Sequence, residues 1–405
     1  MTFAIFENRM ARIFSRQEKL YRKNNIRLVA SGPPFFDAVI ELLDEARDEV
    51  HFQTYIFQED ETGRRIADAL IKTAGRGVKI YLLADAYGSK KLSKETSERL
   101  KSAGIKFRMF GPLLSKGRIH FGRRLHQKLI LIDQRKAMVA GVNISNNYSG
   151  FDGRVPWLDF AVIVEGDILP SLVNIAMKVW LGFSMKNLRR KLERRRGLRP
   201  PADSSLQVSM RTLENDGLRG RYQCATSYLG IINDARDNIL IVGGYFLPGG
   251  RARRALKRAI RRGVRIRVII AAKSDVGLMH RGMQYLYAWL LRNRIEIHEY
   301  QPANVHGKVI IADSEIVSIG SYDLNNLSTY SNIELNLEVH HPPFAAELEG
   351  SLEKVIQKDC LPVRMADLEK RFSTWTRFRL WYSYRMVKVL FVLAVWLATK
   401  ENEQL

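Results

Sequence analysis

EARDEVHFQTYIF (45–57) returns in the second half of the chain as DARDNILIVGGYF (234–246). Downstream of it, RGVKIYLLAD (76–85) returns as RGVRIRVIIA (262–271), and RLHQKLILID (124–133) returns more loosely as NVHGKVIIAD (304–313). A repeat of this length is far beyond a solenoid period, so it reads as two related domains side by side. Within each copy, apolar runs alternate with amphipathic stretches. The pattern predicts a strand at 50–57, a helix at 63–74, a strand at 78–84, a helix at 94–103 with Ser93 as its N-cap, and a strand at 106–110. The second copy matches with 239–246, 252–262, 264–271, 283–292 and 295–300. Strands separated by helices give an α/β fold built on largely open sheets, with mixed strand directions allowed.

The 405 residues suffice for two domains with cores of their own, and 46% apolar with 26% charged residues is a globular composition. The charge balance is less ordinary: 65 Lys and Arg face 42 Asp and Glu, a formal +23. Such a field calls for a polyanionic partner, either nucleic acid or an anionic membrane surface. The densest basic stretch, KNLRRKLERRRGLRPP (186–201), holds eight basic residues and one acid, Glu193. It reads equally as a solvated linker or as a lipid-headgroup contact. Cys224 and Cys360 provide neither a disulfide framework nor a CxxC metal site, which suits a reducing compartment. MTFAIFENRMARIF (1–14) lacks the apolar core and cleavage site of a secretory signal. No run of about 18 uncharged apolar residues is present, so no conventional membrane span is expected.

The chemistry sits in the third repeated segment. His126, Lys128 and Asp133 form one HxKxxxxD motif, and His306, Lys308 and Asp313 form the other. On a strand, residues i and i+2 share a face, so each His and its Lys point into the same space. The four apolar residues after each Lys read as buried strand. Each Asp then falls about 17 Å beyond its Lys along an extended chain, which assigns it to the following turn. Two His and two Lys brought together suit a phosphodiester. The ammonium groups neutralise non-bridging oxygens, one imidazole attacks phosphorus, and the other protonates the leaving alkoxide. Zinc is the rival use of paired histidines, but neither motif has His–His or Cys ligand spacing. No metal or organic cofactor is expected.

These segments resemble the HKD motifs of the phospholipase D superfamily, over roughly 30–360 of the chain. YIFQEDETG, LLADAYGS, AGVNIS, YFLPG and GSYDLNNLS are similar to bacterial cardiolipin synthases more than to nucleases. The resemblance implies two phospholipase D-like α/β sandwich domains related by pseudo-twofold symmetry, with the active site at their interface. It divides the chain into a first domain (1–185), a basic linker (186–205), a second domain (206–370) and a tail (371–405). It groups all six motif residues as the catalytic set, Asp133 and Asp313 included, although their spacing assigns those two to structure. It gives His126 the nucleophile role and His306 the acid/base role, with Lys128 and Lys308 on the phosphoryl oxygens. Small polar residues after each motif, Gly141 and Asn143 in one copy and Ser321 and Asp323 in the other, are expected near the phosphate. Asp323 stands where Asn is common, so Asn325 is the substitute there. Asp159 and Glu334, acids in apolar strands, match the positions that fix a histidine tautomer.

The C-terminal stretch WTRFRLWYSYRMVKVLFVLAVWLATK (375–400) mixes aromatics with Arg and Lys before an eleven-residue apolar run, 389–399. That is too short for a straight span and suits the membrane interface, the alternative being a helix packed on the protein's own core. His280, His298 and the pair His340–His341 have no motif context, and GGYFLPGG (243–250) serves close backbone approach to the cleft. The implied reaction is ping-pong: phosphatidylglycerol gives its phosphatidyl group to histidine, and a second lipid hydroxyl takes it. The implied partners are anionic phospholipid and the membrane surface, on the cytoplasmic side of a bacterial membrane. Three rivals stand beside this reading: a hydrolytic phospholipase D, an HKD nuclease for which +23 would serve equally, and a lipid-binding scaffold. The apolar tail argues against nucleic acid, and two intact motifs argue against a scaffold.

Overall fold

The computed structural model describes residues 19–111, 114–115, 118–119, 123–182 and 207–403, so the expected basic linker 186–205 and the stretch 1–14 lie outside the described residues. The first half supplies β1 (Asn24–Ala30), β2 (Glu49–Thr54), β3 (Lys79–Asp85), β4 (Lys106–Phe110), the short pair β5 (Leu114–Ser115) and β6 (Arg118–Ile119), β7 (Lys128–Ile132), β8 (Lys136–Ala140) and β9 (Phe160–Gly166). The second supplies β10 (Ser209–Asp216), β11 (Arg221–Tyr222), β12 (Asn238–Gly243), β13 (Arg265–Ala271), β14 (Glu296–Tyr300), β15 (Lys308–Ala312), β16 (Ile316–Gly320), β17 (Ile333–His340) and β18 (Cys360–Val363). The first sheet runs β1-β9-β8-β7-β2-β3-β4. The second repeats that order as β10-β17-β16-β15-β12-β13-β14, with β11 and β18 added at its edges.

In each sheet the strands alternating with helices are parallel, β2 to β3 to β4 and β12 to β13 to β14. The motif strands β7 and β15 run antiparallel to their neighbours on both sides. The expected strands and helices are present with end shifts of a few residues, and Ser93 caps its helix by accepting from the Thr96 N–H. Because both faces of β7 and β15 are covered, all five residues of each are buried, which explains their uninterrupted apolar runs.

Helices Pro33–Glu45 and Glu61–Gly75 cover the outer face of the first sheet. Gln223–Asp234, Gly250–Arg261 and Gly277–Arg292 cover that of the second. The inner faces belong to one apolar cluster, in which Leu129, Leu131 and Val162 join Leu240, Val309 and Ile311. Each such side chain is worth about 1.5–3 kcal/mol when buried, so this shared core ties the two halves together.

Asp133 and Asp313 sit at the far ends of the motif strands from the histidines. Each has a positive φ, as do Gln134 and Ser314 after them, and the Arg135 N–H closes the first turn onto the Ile132 carbonyl, as a type I′ hairpin requires. The Asp133 carboxylate accepts from the N–H groups of Arg47, Asp48 and Glu49, and Asp313 repeats this with Arg236, Asp237 and Asn238. These contacts hold the start of the neighbouring strand. Grouping the two aspartates with the catalytic set is therefore corrected: their carboxylates are engaged by backbone donors a strand's length from the chemistry.

The tail forms one helix, Thr374–Glu403, packed along Gly277–Arg292 through Leu380, Val387 and Phe391. Its other side leaves Trp375, Phe378, Tyr382, Leu393 and Trp396 exposed. The helix amends the expectation that no segment is long enough to span. Arg385 and Lys388 interrupt the apolar run, yet the 24 residues Thr374–Leu397 pass by length and composition. Only 28% of the apolar 18-residue stretch within it is buried.

Asp133→Ala removes three backbone acceptor contacts and places Ala at a positive φ. It should lower stability by about 2–3 kcal/mol, and Asp133→Asn by less than half of that. Denaturant melts check this, with specific activity of the folded fraction unchanged.

Candidate active site

Each motif histidine enters the site on a short segment clamped by the opposite half. Ile333, just before Glu334, accepts from the N–H groups of His126 and Gln127 and donates to the Arg124 carbonyl. Leu158, just before Asp159, does the same for His306, Gly307 and Asn304. The carboxylates that follow therefore arrive beside the histidine of the other half. His126 Nδ1 lies 2.7 Å from Glu334 Oε2, and His306 Nδ1 lies 2.6 Å from Asp159 Oδ2. With Nδ1 engaged by a carboxylate, each ring keeps Nε2 for chemistry. Lys128 Nζ donates to the His126 carbonyl at 2.6 Å, and Lys308 Nζ donates likewise to that of His306, as the i, i+2 relation on a strand dictates. All four side chains and both acids are buried.

The two acids are not equivalent. Glu334 Oε2 also accepts from the Ser321 hydroxyl at 2.6 Å, and Oε1 accepts from Asn332 Nδ2 at 3.0 Å. Burial pushes its carboxyl upward, but His126, Lys128 and the Ser321 hydroxyl outweigh that and hold it below the ordinary value. Asp159 is one methylene shorter. Its carboxylate presses against Gly141, where an added Cβ would sit 2.2 Å from Oδ1, so no side chain fits in the place Ser321 occupies in the other half. Asp159 gains the Phe160 N–H at 2.7 Å. Burial raises it to about 7 against the pull of Lys308. Burial, with Lys308, Lys128 and His126, pushes His306 well below the ordinary imidazole range. The His306–Asp159 pair thus shares a proton near neutrality, while Glu334 stays ionised opposite His126.

Burial lowers Lys128 to about 7, with Lys308 adding to the effect and Glu334 opposing it. Lys308 has a carboxylate of its own: Asp323 Oδ2 lies 3.6 Å away. The Asp323 Oδ1 accepts from the Tyr245 N–H, as Asn143 accepts from that of Ile56, so the two positions are structural counterparts. Asn143 also donates to the Tyr148 hydroxyl at 2.8 Å. Asn325 caps the helix Asn326–Tyr330. Both asparagines are held in loop support beside the site, and Ser321 in support of Glu334.

Sequence reasoning brought together His126, Lys128, His306, Lys308, Asp159 and Glu334. It did not assign either acid to a histidine, and the structure pairs each acid with the histidine of the other half. It missed Tyr55, whose ring lies 5.0 Å from His126 and 5.4 Å from Lys128 Nζ, and Tyr148, 5.1 Å from His306. It also missed Asp85, which accepts from the Leu125 N–H and so steadies the segment before His126. Tyr55 and Asp85 follow or end parallel strands, at the carboxyl edge where such sheets place their sites. Gly244 serves the close approach expected of GGYFLPGG, since an added Cβ would meet His306 Cα and the Val305 carbonyl at 3.1 Å.

The chain is similar to known proteins over most of its length. The family described as "Cardiolipin synthase, PLD-like domain" matches residues 39–154 and 228–356. Cardiolipin synthase B of Escherichia coli (strain K12) is 33% identical over 355 residues, covering 87% of this chain and 84% of that protein. Probable cardiolipin synthase YwiE of Bacillus subtilis (strain 168) is 28% identical over 340 residues, covering 83% and 67%. Among solved structures, phosphatidylserine synthase of Haemophilus influenzae Rd KW20 superposes with a TM-score of 0.71 at 14% identity over 96% of this chain and 99% of that one, a likeness of fold.

A neutral Lys128 cannot pair with a phosphoryl oxygen, so kcat/KM should fall as pH rises through about 7. In the pH profile of kcat the fall should move upward, because bound phosphodiester favours the ammonium form.

Proposed function

The chain belongs to the phospholipase D-like cardiolipin synthase family, and we propose that it joins two phosphatidylglycerol molecules into cardiolipin and glycerol through a phosphohistidine. The observation that carries this reading is the crossed pair of histidines, one backed by an ionised acid and the other by an acid sharing its proton. His126 Nε2 attacks phosphorus and the P–O bond to glycerol breaks, with His306 giving its proton to the departing alkoxide. Glu334 offsets the positive charge that His126 acquires. In the second step a hydroxyl of another phosphatidylglycerol gives its proton to His306 and attacks phosphorus, and the P–N bond to His126 breaks. Lys128 and Lys308 neutralise the non-bridging oxygens in both steps. Exclusion of water from a buried site favours the lipid alcohol over hydrolysis.

The substrates are lipids, and the exposed side of Thr374–Glu403 suits burial at a bilayer interface, with Arg377, Arg379, Arg385 and Lys388 beside anionic headgroups. We place the enzyme at the cytoplasmic face of a bacterial membrane, attached from one side.

Product analysis after mixing the purified protein with phosphatidylglycerol vesicles tests the reaction. Cardiolipin with equimolar glycerol is expected, and His126→Ala should reduce the rate by at least about 10³-fold. Phosphatidic acid as the product would replace this reading by a hydrolase, and turnover of DNA in place of lipid by a nuclease.

Asp323→Asn copies the first half's Asn143 and removes the negative charge near the His306–Asp159 pair. Release of an alkoxide, which needs that proton, should slow by about 3–10-fold, while release of a nitrophenolate from an activated phosphodiester is spared. Steady-state rates on the two substrates check this.

A further inference from the structure

The pseudo-twofold repeat supplies an internal control for surface charge. Helices Glu61–Gly75 and Gly250–Arg261 occupy the same place in the two halves, each linking two parallel strands over the outer face of its sheet. The first carries both signs, and three of its five charges are paired: Arg65 with Asp37, Lys72 with Asp44, and Asp68 with Arg99. The second, GRARRALKRAIR, carries six basic residues and no acid. Its fold needs only Ala252, Ala255, Leu256 and Ala259, which are buried against the sheet. Arg254, Lys257, Arg258 and Arg261 are exposed. Arg258 donates to Asn233, and among the described residues no carboxylate pairs with Arg254, Lys257 or Arg261. Like charges one turn apart on a helix destabilise it, so this face costs the fold stability that the first half avoids.

What lies beside the helix identifies the partner. Arg253 stacks over Trp289 of Gly277–Arg292, and that helix in turn packs along Thr374–Glu403 through Tyr285 on Tyr384 and Arg281 on Ser383. The unpaired cations and the exposed Trp375, Tyr382, Leu393 and Trp396 thus belong to the same side of the second sheet. A polyanion with an apolar interior satisfies both; a nucleic acid satisfies only the charges.

We propose that Gly250–Arg261 is an electrostatic dock for an anionic bilayer, which lays the second half flat on the membrane beside the apolar tail helix. The dock rests on the lipid-transfer reading and extends it. The loop 243–249 leads from β12 into this helix, and its Gly244 and Tyr245 border His306, so headgroups held by the helix are presented at the mouth of the site. The first half, with its paired charges, faces away from the lipid.

The test uses full-length protein and sedimentation with vesicles of phosphatidylglycerol in phosphatidylcholine. Arg254→Gln with Lys257→Gln and Arg261→Gln should weaken binding by about 100-fold at low salt, with the loss shrinking as salt is raised. The matched variant Arg64→Gln with Arg65→Gln and Lys72→Gln removes the same net charge from the first half and should leave binding within about threefold. Equal weakening by both sets would overturn the dock in favour of net charge. Unchanged vesicle binding with lost DNA binding would overturn it in favour of nucleic acid. Turnover of detergent-dispersed phosphatidylglycerol needs no dock, so the second-half variant should match wild type there. A wild type inactive in that assay would sink the transfer reaction itself, whatever the vesicles show.

Discussion

The structure depends on a reciprocal backbone clamp. Ile333 grips the segment that carries His126, and Leu158 grips the one that carries His306, each from the opposite half. Because the clamping residue immediately precedes an acid, the same contact that aligns the halves delivers Glu334 to His126 and Asp159 to His306. A histidine and its acid then belong to different sheets, and neither half holds a complete site. The apolar cluster behind the clamp, where Leu131 and Val162 join Val309 and Ile311, makes the arrangement durable. Burial of the pairs follows from it, and burial makes their electrostatics strong.

Near-symmetry carries a division of labour. The backbone repeats closely, even to the turn aspartates and the loop N–H groups held by Asn143 and Asp323. At the site itself the departures bear on the charge and hydrogen bonding of the two acids. Ser321 with Glu334 gives one histidine an acid held ionised by several donors. Gly141 with Asp159 gives the other a shorter acid, fewer donors and a shared proton. Asp323 in place of asparagine adds a negative charge beside Lys308, which helps retain that proton. In the proposed mechanism this difference makes one ring the phosphoryl carrier and the other the mover of protons.

Much of this was legible in the sequence because repetition and strand periodicity are local signals. Two HxK pairs, two sets of alternating strands and two acids in apolar runs could be read directly. The crossing could not, because it arises from packing between distant segments that share no pattern. Tyr55 and Tyr148 were hidden for the same reason: nothing distinguishes a site aromatic from a core one until the sheets are placed. Asn143 and Asn325 were read toward the phosphate from their position after the motifs; the contacts that hold them, Asn143 to Ile56 and Tyr148 and Asn325 to Ser328 and Tyr245, appear only once the fold is in place. The tail shows the opposite limit. Two charges broke the apolar run at 385 and 388, but a helix spreads residues over its sides, and the charges do not stop it from continuing to Glu403.

The central claim is that each histidine is governed by the other half's acid, with His126 as the phosphoryl carrier. Rapid quenching of turnover followed by peptide mapping of the phosphorylated histidine tests it most directly. Label is expected on His126 in the wild type, almost none in Glu334→Gln, and label that both forms and clears more slowly in Asp159→Asn. Label on His306, or Asp159→Asn abolishing formation while Glu334→Gln leaves it intact, would contradict it.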